Sequence, residues 1–197
     1  SSKSAMLASS KEVLLKAQKG RYAVGAFNVN DLEMMQAIVA AAMKLRSPVI
    51  LQTTEGAIEY AGLKYLAGMI KTAAHENKIP IVLHLDHGKS LNVIKQCIKE
   101  GYTSVMIDAS QYEFNKNVAT TKKVVSMCHK KGISVEAELG TIGGAEDKVE
   151  ARKIILADPS YVKQFVEKTG VDSLAIAIGT SHGAYKFKGS GKLDIKR

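Results

Sequence analysis

The 197-residue chain contains no apolar run approaching the ~20 residues needed to span a bilayer. Its first residues, SSKSAMLASS, lack the long apolar stretch of a secretory signal. No membrane partner is expected, and the expected location is the cytoplasm. Cysteine is scarce. Cys97 and Cys128 are the only two, too few for a disulfide framework, and both fall at apolar positions of helix-like segments. They read as buried free thiols in a reducing compartment. Zinc-finger spacings, RNP-like stretches and basic runs interleaved with aromatics are also missing, so nucleic acid is not the expected partner of the +9 net charge. The lysines instead spread along helix-like segments such as TTKKVVSMCHKK, as solvated outer faces do. If the charge serves a ligand, a small phosphorylated molecule fits at least as well as a polymer.

What is present is 46% apolar and 24% charged residue content, ordinary for a globular protein. Short β-rich apolar runs recur at 22–27, 48–52, 80–85, 104–107, 133–137 and 173–178. Helical periodicity fills most of the intervals. Leu32, Met35, Ile38, Val39 and Ala42 form one stripe behind Asp31 as N-cap. Ser90 and Gly101 bracket a second helix, Asn115 to Gly132 makes a third, and Asp158, Pro159 and Gly170 bracket a fourth. Strand–helix alternation at this spacing implies parallel strands joined by right-handed crossovers.

A doubly wound nucleotide binder would carry a glycine-rich phosphate loop after its first strand; the chain continues AFNVND instead. A closed (β/α)8 TIM barrel predicts polar residues at the C-terminal ends of many strands, where its active site is assembled. Asn28, Thr53 and Thr54, Asp86 and His87, Asp108 and Ser110, Glu138, and the 179–182 segment supply them in succession. The expected architecture is one barrel domain over residues 1–197 with the first six β/α units represented. An eight-stranded design cannot close on six strands, so the expectation is a chain incomplete at its C-terminal side, with completion of the barrel by a partner as the alternative.

Within LHLDHG, His84 and Asp86 share a strand face, and His87 starts the turn out of the strand. That trio suits a metal ligand beside a proton-transfer group, or equally a hydrogen-bonded structural triad. His182, in the glycine-flanked GTSHGAY, leaves the sixth strand and could converge with His87 on one ion. His75 and His129 sit near helix C-termini, where capping or dipole pairing is expected. In VEAELGTIGGAED, Glu136 and Glu138 share a face and Asp108 can approach Glu138; clustered carboxylates imply a cation, a shared proton or a lysine partner. Gly140, Gly143 and Gly144 would make a mobile stretch carrying Glu146 and Asp147 over the site, or a plain surface loop.

Taken together, AFNVND, LHLDHG, SVMIDAS, VEAELGTIGG and AIGTSHGAYKF closely resemble class II, metal-dependent fructose-1,6-bisphosphate aldolases, over nearly the whole chain. The related tagatose-bisphosphate aldolases share the pattern. The resemblance implies reversible cleavage of fructose 1,6-bisphosphate to dihydroxyacetone phosphate and glyceraldehyde 3-phosphate, a step of glycolysis and gluconeogenesis, through a metal-stabilised enediolate. It implies Zn2+ held by His87 and His182, with a second divalent or monovalent cation as an addition and Asp108 and Glu138 at an alternative metal position. It implies Asp86 as the acid/base at the aldehyde oxygen and Glu146 as the base at the triose carbon. Asn28, Thr54, Gly183 and Lys186 would then bind the phosphorylated ketose or triose. A homodimer or larger homo-oligomer is the family's habit. Ala145 and Gln111-Tyr112 depart from the family pattern, and the third zinc histidine and a substrate-engaging strand eight are not in this sequence. Two rivals stand beside this reading. A lysine-dependent aldolase is disfavoured because SLAIAIGTS has no lysine; the other is a non-catalytic fragment that binds only a phosphorylated ligand or a partner.

Overall fold

A computed structural model describes residues 7–146, 149–151, 155–182 and 192–196. Six parallel strands form the main sheet: Gly25–Asn28 (β1), Val49–Thr53 (β2), Ile81–Gly88 (β3), Ser104–Ile107 (β4), Ser134–Leu139 (β5) and Ser173–Ile176 (β8). Their spatial order is their chain order, with no reversal. A doubly wound sheet reverses direction at a switch point, whereas a barrel winds one way throughout. The sheet is the curled wall of a (β/α)8 barrel, six strands wide.

The helices between the strands are Leu32–Leu45 (α2), Glu55–Ala61 (α3), Leu63–Glu76 (α4), Leu91–Lys99 (α5), Phe114–His129 (α6) and Pro159–Thr169 (α7). Their starts follow the sequence signals. The Asp31 carboxylate accepts from Met34 N at 2.8 Å, and Asp158 accepts from Ser160 N at 2.9 Å with Pro159 in the first turn. Gly170 ends α7 in the left-handed conformation at φ +71°. The third helix begins one residue before the expected Asn115, because the Glu113 side chain accepts from the amides of Asn115 and Lys116 and caps it.

Parallel strands covered by helices on one face bury their outward residues completely. Leu51, Leu83, Leu85, Val105, Ile107 and Val135 pack against Leu66, Ile70, Ile94, Val124 and Phe165 from the helices. Each fully buried aliphatic side chain contributes about 1.5–3 kcal/mol relative to exposure. Cys97 and Cys128 lie in this layer as free thiols, and burial pushes both up to about 12.

The inner face is covered at its N-terminal end by a helix outside the six units expected from the sequence, Ser10–Gly20 (α1). Val13 packs on Ile50 and Val82, and Ala8 N donates to Ile81 O at 2.8 Å. The Lys11 ammonium reaches Asp172 at 3.0 Å. Asp172 also accepts from His129 Nε2 at 2.8 Å, so His129 ties a helix end to the base of β8.

Most strand boundaries shift by a residue or two from the sequence expectation, and two shift by three. The first strand begins at Gly25 rather than Tyr22, and β3 continues three residues past Leu85. The glycine stretch also takes regular structure. Gly143–Glu146 (β6) pairs antiparallel with Val149–Ala151 (β7) and parallel with Ser181–His182 (β9), a small second sheet in place of an irregular loop. Among the described residues, no helix is long and apolar enough to cross a membrane.

Candidate functional site

The site is organised by one irregularity in β3. Leu85 pairs with Val105, but the next pair is Gly88 with Ile107, so β3 uses three steps where β4 uses two. The extra residue is a β-bulge. In a regular strand Asp86 and His87 would point to opposite faces. Here His87 adopts φ +46°, and its Nε2 comes to 4.0 Å from Asp86 Oδ1, so two consecutive side chains serve one site. Gly88 makes the bulge possible. A Cβ there would lie 2.7 Å from the Met106 carbonyl oxygen and 2.8 Å from Leu85 Cδ2.

Around His87 the cluster is tight. Its Nδ1 lies 2.8 Å from Asp108 Oδ2 and 4.0 Å from Glu138 Oε2. The other Asp108 oxygen accepts from the Ser110 hydroxyl at 2.7 Å. The His182 ring packs edge-on against His87, with centroids 4.8 Å apart. Burial alone would lower the His87 imidazole, but the hydrogen bond to Asp108 and the charges of Asp86 and Glu138 outweigh it and raise it to about 9. Asp108 moves the other way: burial opposes ionisation, the His87 and Ser110 hydrogen bonds win, and it falls to about 2. Burial and then the Asp108 charge lift Glu138 to about 7; the His87 charge and hydrogen bonds from the Ile142 amide and Ser110 pull downward but lose.

A second polar layer lies below. The Gln52 amide nitrogen donates to Asn28 Oδ1 at 2.7 Å and to Asp86 Oδ2 at 2.9 Å, using both of its hydrogens. His84 Nδ1 meets the Ser104 hydroxyl at 2.7 Å, and because that hydroxyl donates onward to Ser10, His84 must donate from Nδ1. Its free Nε2 then faces Glu136 Oε2 at 3.4 Å. Burial, with the His87 charge adding, holds His84 down to about 3, so it stays neutral; burial and the Asp86 charge raise Glu136 to about 7.

Of the residues singled out from the sequence, the structure brings together Asp86, His87, Asp108, Glu138 and His182, with Asn28 joined through Gln52. Thr54 is buried at the end of β2, where its hydroxyl caps α3 by accepting from Ala57 N at 3.0 Å. Glu146 lies in β6, two residues beyond Gly144, the register partner of His182. Gly183 and Lys186 lie outside the described residues, as does Asp147. Gln52 was not anticipated. Its signal was an amide closing an apolar run, two residues after inward-facing Ile50.

The donor set suits a cation. One ligand atom each from His87, Asp108 and Glu138 lies within 4.8 Å of the others, and all three residues are buried. Glu138 Oε2 is buried with no hydrogen-bond partner among the described residues. A buried carboxylate oxygen beside a second carboxylate needs a proton or a metal. One imidazole and two carboxylates match the preferences of a divalent ion.

The comparisons with known proteins point the same way. The family described as fructose-bisphosphate aldolase class-II matches residues 8–197. A fructose-bisphosphate aldolase of Giardia intestinalis is 50% identical over 186 residues, covering 94% of this chain and 57% of that protein. Those of Helicobacter pylori and Staphylococcus aureus are 49% and 51% identical, covering 98% and 96% of this chain and 64% and 67% of theirs. Among solved structures, the YdjI aldolase from Escherichia coli K12 superposes with a TM-score of 0.82 at 35% identity, over 90% of this chain and 64% of that one. A putative fructose-1,6-bisphosphate aldolase from Coccidioides immitis gives 0.83 at 33% identity, over 95% and 66%. The chain thus spans roughly three-fifths to two-thirds of the length of these relatives. With nearly every residue covered by relatives at about half identity, the chain belongs to the class II fructose-bisphosphate aldolase family.

Proposed function

We propose that the protein to which these residues belong is a Zn2+-dependent aldolase that reversibly splits fructose 1,6-bisphosphate into dihydroxyacetone phosphate and glyceraldehyde 3-phosphate. The observation that carries this reading is the buried His87–Asp108–Glu138 cluster beside Asp86 and His182, with one Glu138 oxygen that has no hydrogen bond among the described residues. His87 and His182 would hold the ion, with Asp108 and Glu138 as an alternative seat or as the carboxylates that orient it. When bound, the ion supplies electron withdrawal from a ketone oxygen, which cleavage next to that ketone requires.

The remaining chemistry falls to the chain's own groups. In cleavage, Asp86 accepts the proton of the hydroxyl that becomes the aldehyde, and in condensation it returns that proton. Gln52 fixes Oδ2 of Asp86, while Oδ1 lies on the His87 side. Glu146 serves the carbon: it takes a proton from dihydroxyacetone phosphate in condensation and gives it back in cleavage. Asn28, Thr54, Gly183 and Lys186 bind the substrate, Lys186 by charge at a phosphate. The working unit in this reading is one cytoplasmic barrel domain assembled as a homodimer or larger homo-oligomer.

The test is chelation and trapping on the intact enzyme. Removal of metal abolishes turnover and added Zn2+ restores it, while borohydride with substrate traps no adduct. A borohydride adduct, or turnover indifferent to chelator, overturns the assignment. A second reading follows from the length comparison: this stretch alone spans as little as 57% of a relative and could bind a phosphorylated ligand without turning it over.

A further inference from the structure

Three residues other than glycine carry positive φ in the described chain: Arg21, Arg46 and His87. The two arginines have an evident reason. Each ends a helix, and its N–H bonds back to that helix's last carbonyls. His87 lies inside a strand and has no such reason, so its conformation must be imposed by what surrounds it. Upstream, Leu85 is held by pairing with Val105; at Gly88, the carbonyl accepts from Asp108 N at 2.9 Å. Downstream, the amides of Lys89 and Ser90 both donate to one oxygen of Glu55, each at 2.8 Å.

Glu55 comes from a different β/α unit, 34 and 35 residues away. It opens α3, and its carboxylate therefore sits beside two helix N-termini, its own and that of α5, where negative charge is favoured. It is not the cap of α5, because the Ser90 hydroxyl already accepts from Val93 N. Its bonds instead pin the two amides between the bulge and the helix. Two charge-assisted bonds converging on one oxygen restrain a turn more firmly than neutral ones.

We infer that Glu55 is a positioning residue for the metal-binding cluster: by clamping the Lys89 and Ser90 amides, it keeps the end of β3 in the conformation that turns the His87 ring onto Asp108. Without the clamp the two amides turn to water, and His87 relaxes out of the left-handed region, carrying its ring off Asp108 Oδ2. The role of the cluster rests on the metal reading above; the geometry of His87 does not.

The experiment follows the His87 imidazole in 15N-labelled metal-free protein by long-range 1H–15N correlation, then titrates the same samples with Co2+. Glu55→Ala shifts the His87 nitrogen resonances toward those of a solvated imidazole and weakens Co2+ binding about tenfold, the low end for loss of an orienting partner. Glu55→Gln, which keeps an acceptor oxygen, preserves both readouts. Glu55→Asp, one methylene too short, behaves like Glu55→Ala and serves if the latter does not fold. Ser90→Ala removes the cap of α5 but keeps both amides; it lowers the melting temperature and leaves His87 and Co2+ affinity unchanged. Wild-type His87 resonances in Glu55→Ala or Glu55→Asp, or equal shifts in Ser90→Ala, overturn the inference. A wild-type protein that takes up no Co2+ defeats the metal reading instead, and the His87 resonances still decide the role of Glu55.

Discussion

Glu138→Gln should make the metal-free protein more stable at pH 8 while making it a poorer metal binder. The Glu138 carboxyl is raised from its ordinary 4.5 to about 7 by burial and by Asp108. An acid whose folded value is raised binds more protons folded than unfolded between those two values, so stability falls as pH climbs through that window. The displacement is worth about 3 kcal/mol once Glu138 is ionised, at 1.36 kcal/mol per tenfold change in proton affinity. Glutamine has nearly the same shape, carries no charge, and its amide can donate toward Asp108. At pH 8 the variant should therefore exceed wild type by about 3 kcal/mol, or about 6–12 °C in melting temperature for a chain this size. At pH 4.5, where Glu138 is largely protonated, the two should nearly coincide. Zn2+ reverses the order of benefit. At a hundredfold excess over Kd wild type gains about 2.7 kcal/mol, and a tenfold weaker variant gains about 1.4 kcal/mol. The assay is calorimetry in chelator at both pH values, repeated with Zn2+. A variant less stable than wild type at pH 8 without metal, or one that gains as much from Zn2+, refutes the reasoning.

Other perturbations separate the parts of the site. Gly88→Ala drives a Cβ against the Met106 carbonyl at 2.7 Å, a contact with backbone that cannot swing aside, and should cost about 1–3 kcal/mol in chemical denaturation; an unchanged midpoint would show that the bulge tolerates a side chain. Asp86→Ala in the intact enzyme should slow turnover by about 10²–10⁴-fold with metal content near normal by elemental analysis, as expected for loss of a proton-transfer group. Gln52→Leu removes the donor shared by Asn28 and Asp86 and should lower kcat about 10–100-fold with the fold intact by circular dichroism; wild-type kcat would mean that the two residues hold their places unaided.

Much of the frame was legible in the residues alone. The run at 104–107 is a strand over those same residues, and Asp31, Ser90 and Asp158 cap the helices expected of them. These features depend on neighbours within a turn or a strand, where apolar period and capping chemistry are written directly. The polar residues ending successive strands pointed to a barrel mouth for the same reason: their spacing along the chain is set by the length of each β/α unit.

What tertiary structure alone decided lies between units. No local pattern announces that β3 gains a residue against β4, because a bulge is a mismatch between two strands rather than a property of either. That mismatch turns His87 to the side of Asp86, and Glu55, 34 residues before Lys89, braces the turn that follows it. Gln52 looked like no more than the end of an apolar run until Asn28 and Asp86, 24 and 34 residues away, met at its amide. The sequence by itself determined the units, the chemical inventory of their ends and the family; the register between strands determined which of those groups meet, since side-chain geometry at a barrel mouth is set by backbone pairing across the sheet.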